Sequence, residues 1–209
     1  VLFRSFTGFT VREEGNNVVV TANYKLGCFD QAVWTIAPDG TAAIDFTYNF
    51  SGVVDLMGVM FDYPEDKVLS KRWVGDGPYR VWQNRLHGPQ LGVWENEYND
   101  PIPAESFTYP EFKGYFANVQ WMTLETQEGM ISICNRTPQN YVGVYQPRDG
   151  RDGLLYTFPV TGISLMKVIP PVRNKVNTTD LIGPSSQAFW ADGEYGGGIT
   201  LKFERSEER

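Results

Sequence analysis

Ile44-Asp45-Phe46-Thr47-Tyr48-Asn49-Phe50 alternates apolar and polar side chains without a break. Successive side chains of an extended strand point to opposite faces, so Ile44, Phe46, Tyr48 and Phe50 share one face while Asp45, Thr47 and Asn49 share the other. Ile199-Thr200-Leu201-Lys202-Phe203-Glu204 repeats the pattern near the other end of the chain. Between and before these, residues 17–25, 31–36, 116–126, 130–135 and 141–146 also read as strands, and helical periodicity is almost absent. Turn chemistry separates the strands at Ala37-Pro38-Asp39-Gly40, Glu128-Gly129 and Arg148-Asp149-Gly150. Pro38-Asp39-Gly40 between two apolar runs predicts a hairpin. Many short strands joined by turns predict an all-β sandwich or barrel. Its core is expected to hold Ile44, Phe46, Tyr48, Val119, Trp121, Ile131, Ile133, Leu201 and Phe203.

Composition narrows the function. The chain has 209 residues, of which 42% are hydrophobic, 21% charged and 14% aromatic, with a net charge of −7. The aromatic content argues against disorder. The acidic balance, with no basic stripe, argues against nucleic acid as a partner. No run of about 18 apolar residues offers a membrane-spanning helix. His87 is the single histidine, which excludes a multi-histidine metal site and makes a serine triad depend on that one residue. In Leu86-His87-Gly88-Pro89 it reads as a solvated loop residue. Cys28 and Cys134 give no CxxC motif, and their pairing stays open. Neither a cofactor nor a metal is expected. The compartment stays open between bacterial periplasm and cytoplasm.

At the ends, Val1-Leu2-Phe3-Arg4-Ser5 is the translation of GTGCTCTTCCGATCT, a string like the end of a common sequencing adapter. Residues 1–5 are therefore expected to be a non-native leader. Residues 6–204 are expected to form a single domain, and residues 205–209 a polar tail.

Two stretches stand out as irregular, residues 74–115 and 167–188. The first carries Tyr79, Arg80, Trp82, Arg85, Trp94, Tyr98, Phe107, Tyr109, Phe112 and Tyr115. Aromatic faces stack on sugar rings, and Arg, Asn and carboxylate groups bind hydroxyls, so the cluster reads as a carbohydrate surface. Taken singly, each tryptophan reads first as core, and Arg80 and Arg85 read first as ties to loop carbonyls. A retaining glycosidase needs two carboxylates about 5–5.5 Å apart. Glu95 and Glu97 would share a strand face, and Asp62, Glu65 and Asp66 sit in a turn, but both sets read as solvated charge. Gly75 and Gly77, flanking one residue before Pro78, predict a tight turn with a glycine at positive φ. Asn49, Asn135 and Asn177 fit the glycosylation sequon.

Trp73-Val74-Gly75-Asp76-Gly77-Pro78, followed by Trp82-Gln83-Asn84-Arg85, resembles W-x-G-x-G-P-x-x-x-Y-x-D-R. That pattern belongs to the C-terminal domain of family 2 glycoside hydrolases of the β-galactosidase type. Trp82 stands for the Tyr and Asn84 for the Asp. Tyr109-Pro110-Glu111-Phe112-Lys113-Gly114 is similar to the family's Y-x-x-P-x-E-x-G segment, with the Glu displaced. The resemblance covers residues 55–135 best. It implies a large antiparallel β-supersandwich, galactose-mutarotase-like, acting as an accessory domain that shapes a sugar site and packs on a catalytic TIM barrel. The family's catalytic glutamates lie on that barrel, so no catalytic residue is expected in this chain. The family's late G-x-G-G-x-x-S-W loop is absent here, which leaves Trp190 as its candidate counterpart and the sugar open. Expected contacts to sugar or barrel are Trp82, Trp94, Arg80, Arg85 and Trp190. A free-standing carbohydrate-binding module is the second reading, and a mutarotase-like epimerase the third.

Overall fold

The computed structural model describes residues 5–25, 27–64, 67–97, 114–144, 162–171 and 186–205. The strands are β1 (Ser5–Glu14), β2 (Asn17–Lys25), β3 (Phe29–Ile36), β4 (Ala42–Val54), β5 (Met57–Phe61), β6 (Val68–Gly77), β7 (Gln90–Glu97), β8 (Trp121–Thr126), β9 (Gly129–Asn135), β10 (Tyr141–Gly143), β11 (Ile163–Val168) and β12 (Phe189–Arg205). No α-helix occurs among the described residues. The fold is all-β, a large antiparallel sandwich.

One sheet has nine strands in the order β1-β2-β3-β4-β12-β9-β8-β6-β7, and the other has three in the order β10-β11-β5. Single bridges from Phe116 to Val142 and from Val81 to Tyr115 extend the small sheet sideways. The alternation read at Ile44–Phe50 now has its cause. Ile44, Phe46 and Tyr48 from β4 pack with Ile199 and Leu201 from β12, Ile131 and Ile133 from β9, and Met122 and Leu124 from β8. Met57, Val59, Ile163, Leu165 and Val142 of the small sheet close that core from above. The inner faces of the two sheets interdigitate in this way, and the far face of the small sheet packs Met166 and Tyr141 in a second cluster with Val81, Tyr115 and Ile169.

The β3–β4 hairpin forms where Pro38-Asp39-Gly40 predicts it. The amide of Gly40, at φ 82°, donates to the Ala37 carbonyl at 3.0 Å. The Asp39 carboxylate accepts from the Thr41 amide at 3.0 Å and from its hydroxyl at 2.9 Å. Those two hydrogen bonds, the amide's first, stabilise the ionised carboxylate and hold the pKa of Asp39 below the ordinary carboxylate value. Glu128-Gly129 likewise joins β8 to β9, with Gly129 at φ 127°. Arg148-Asp149-Gly150 lies outside the described residues.

Seven of the nine expected core residues are buried, and Trp121 and Phe203 are not. Trp121 fails because residues 116–126 are not one strand. Asn118 adopts φ 51°, and the chain is irregular from Ala117 to Gln120. That irregularity shifts the phase, so Val119 and Met122 point inward and Trp121 points outward; a slip of one residue exchanges faces. Phe203 has the right phase but the wrong position. The pairing of β12 with β4 ends at Leu201 opposite Ala42, so Phe203 projects past the covered part of the sheet. Cys28 is half-buried, Cys134 is exposed, and both are free thiols. Asn135 is buried and Asn49 is exposed, while Asn177 lies outside the described residues. Among the described residues no helix is long and apolar enough to cross a membrane.

Candidate functional site

The segment that carries the motif runs up β6 and over the end of the sandwich. Trp73 is fully buried between the sheets. Its ring centroid lies 4.6 Å from that of Phe116, and its Nε1–H donates to the Asp76 carbonyl at 3.0 Å. Gly75 and Gly77 are not in a turn: both belong to β6, and neither has positive φ. Close approach explains them instead. A Cβ on Gly75 would lie 2.9 Å from the Cα of Val119, and one on Gly77 would lie 2.5 Å from Cδ1 of Trp94. The glycines let a backbone and an indole lie flat on β6. Gly75→Ala is therefore expected to cost about 1–3 kcal/mol, because backbone has to move. A denaturant midpoint unchanged from that of the unaltered chain would refute this.

Past the cis Gly77–Pro78 bond, Tyr79 is exposed and Arg80 is buried, with its guanidinium carbon 5.8 Å from the Phe116 ring centroid. Lys71, wholly buried on β6, sits 5.9 Å from the same centroid, and its Nζ donates to the Glu97 carbonyl at 2.8 Å. Val81 exchanges backbone hydrogen bonds with Tyr115 at 2.7 and 3.0 Å. Trp82 is 3% exposed and meets the Tyr115 ring edge-on at 6.2 Å. A turn from Trp82 to Arg85 closes through the Arg85 amide on the Trp82 carbonyl at 2.8 Å. Gln83 donates its amide to Pro170 at 3.1 Å, and the Asn84 amide nitrogen donates to the Ser186 hydroxyl at 3.1 Å. The Arg85 side chain is exposed.

Residues 90–97 of the expected irregular stretch form β7, and Trp94 sits within that strand. It faces inward, half-buried, with Nε1 at 3.2 Å from the carbonyls of both Gly75 and Gln90. Glu95 and Glu97 share the outward face of β7, as expected, and are exposed. Glu65, Asp66 and the aromatic residues of 98–113 lie outside the described residues. His87 is exposed. Among the described residues no group of three or more His, Cys, Asp and Glu stands ready for a metal ion.

The fold thus gathers Arg80, Trp82 and Trp94 into packing around the end of β6, with Arg85 on the rim. Trp190 stands apart on the outward face of β12. Beyond the reach of β3 and β9, residues 49–54 and 189–194 continue as a two-stranded ribbon. On its outer face Trp190 lies opposite Val53, Asp192 opposite Ser51, and Glu194 opposite Asn49. All six are exposed, Trp190 by 67%. The Ser51 hydroxyl donates to Asp192 Oδ1 at 3.1 Å, and the Asp192 amide donates to the Tyr195 hydroxyl at 2.9 Å. Trp190 and Asp192 are two residues apart on one face, roughly 7 Å along the strand. An open indole, an anchored carboxylate and a hydroxyl therefore share one surface. Sequence reading named Trp190 but missed Asp192 and Ser51. The signal was present in Trp190-Ala191-Asp192-Gly193-Glu194, whose alternation places the tryptophan and both acids on one face. A scan of the chain against known protein families finds no match, and a search of curated proteins finds none either.

Proposed function

We propose that this chain is a carbohydrate-binding accessory domain of a β-glycosidase of the β-galactosidase type, packing on a catalytic TIM barrel of the same parent chain. The observation that carries the reading is Trp190, two-thirds exposed beside the hydrogen-bonded Asp192–Ser51 pair. The apolar face of a pyranose stacks on the indole, while its hydroxyls donate to the carboxylate and exchange hydrogen bonds with the serine. The Asp192 oxygens accept and the Ser51 hydroxyl both donates and accepts, which suits the mixed donor and acceptor rim of a neutral sugar. The resemblance of residues 73–85 to the family motif supports the parent enzyme class, and the catalytic carboxylates then belong to the barrel. The isolated chain is expected to leave nitrophenyl glycosides unhydrolysed.

Calorimetric titration with galactose and β-galactosides tests the binding. Trp190→Ala is expected to weaken affinity about tenfold, which corresponds to roughly 1.4 kcal/mol. Trp121→Ala, an outward tryptophan on a different strand, should leave affinity unchanged. Absence of binding at millimolar sugar, or binding indifferent to Trp190→Ala, removes the reading.

A further inference from the structure

We propose that the inner face of β1–β3 is the contact by which two copies of this chain form a dimer. The three-stranded sheet covers β4, β12, β9, β8 and β6, and no residue of β1 or β2 belongs to the core beneath it. The nine-stranded sheet therefore overhangs its second layer by its two edge strands, β1 and β2, while β3 lies at the margin, where Phe29 and Trp34 still pack against the core. Register keeps the overhang apolar. Val11 pairs with Val20 and Val20 with Trp34, Phe9 pairs with Ala22 and Ala22 with Ala32, and Val18 pairs with Ile36. Exposure climbs along the row toward the edge. Ala32 is 8% exposed, Ala22 is intermediate, and Phe9 is 60% exposed. Phe6 and Val11 are also more than half exposed. Phe6 stacks 6.4 Å from Phe9 and meets Tyr24 edge-on at 5.8 Å, so the patch is continuous.

Phe6, Phe9, Val11, Val18 and Ile36 together expose on the order of 500 Å², at the upper end of what a monomer leaves open. The half-buried Val20, Tyr24 and Trp34 on the same face raise the apolar area to about 600 Å², roughly three-quarters of the ~800 Å² per partner of a standard interface, whose rim is polar. The occupant argued for is a second copy, because what the overhang lacks is an apolar sheet of the same width and polarity. Two overhangs placed face to face about a twofold axis supply each other's second layer. Each three-stranded sheet then lies beside the β1 edge of the other copy, which continues the two-layer thickness across the axis. Along β1 this face carries one charged group, Glu13 at its end; the Arg12–Glu14 ion pair, at 2.8 Å, lies on the opposite face.

Sedimentation or light scattering of the unaltered chain tests the proposal. At about 50 μM, above the micromolar constants of even weak interfaces of this size, the mass should be twice the 23.7 kDa of one chain. Phe9→Lys and Val11→Asp should each return the single-chain mass with an unchanged far-ultraviolet spectrum. Thr10→Lys, on the outward face of the same strand, should remain dimeric. An unaltered chain of single mass at that concentration, as expected if a different domain covers the face, overturns the proposal. So does a dimer that survives both inward substitutions.

Discussion

Trp73→Ala is expected to destabilise this protein by about 3–5 kcal/mol. The side chain is wholly buried between the two sheets, its ring is packed at 4.6 Å on Phe116, and its Nε1–H is bonded to Asp76. Removing it deletes the largest side chain of the core and leaves that carbonyl without its indole donor, whose net worth is about 1 kcal/mol. At about 2–4 °C per kcal/mol for a chain of this size, the melting temperature should fall by roughly 6–20 °C. Trp73→Phe keeps the ring volume in part and should recover part of the loss. A melting temperature within two or three degrees of the unaltered protein, measured for Trp73→Ala, would show that the residue is not the keystone of the sandwich. The motif tryptophan is thus expected to act on the fold rather than on a ligand.

Trp82→Ala is expected to cost a similar amount, about 3–5 kcal/mol, and Trp190→Ala less than about 0.5 kcal/mol. Trp82 is 3% exposed against Tyr115 and begins the turn that ties Gln83 to Pro170 and Asn84 to Ser186. Its loss should loosen that end of the sandwich. Amide exchange of Val81 and Tyr115, which bond each other across the bridge, should quicken more than exchange in β4. Trp190 projects from a ribbon and packs little, so its removal should change sugar affinity and leave the melting point in place. Equal stability losses in the two variants would place Trp190 in the packing and withdraw it from the site.

Local pattern carried most of the fold. Ile44–Tyr48 and Ile199–Leu201 alternate because one face of each strand meets the core under the small sheet and the other faces outward, which is a two-residue period. Pro38-Asp39-Gly40 specified its own hairpin because the turn is closed by groups two to four residues apart. Glu95 and Glu97 were assigned to one face by the same arithmetic.

Contacts distant in sequence decided the rest. Gly75 and Gly77 look like turn residues, yet they are glycines because Val119 and Trp94 press on β6 from 44 and 17 residues away; nothing local distinguishes the two causes. Trp121 lost its inward phase to an irregularity at Asn118, and Phe203 kept its phase but outran the strand beside it. A composition that suits both a pocket and a core leaves Trp82 and Trp94 open between the two, and the bridge from Val81 to Tyr115 places Trp82 inside. Trp190 became an open platform because β3 and β9 stop short of the ribbon that holds it. By itself the sequence determined which side chains share a face, since that follows from backbone geometry alone. Only the tertiary structure decided which faces are covered, since cover is supplied by strands that are far away along the chain.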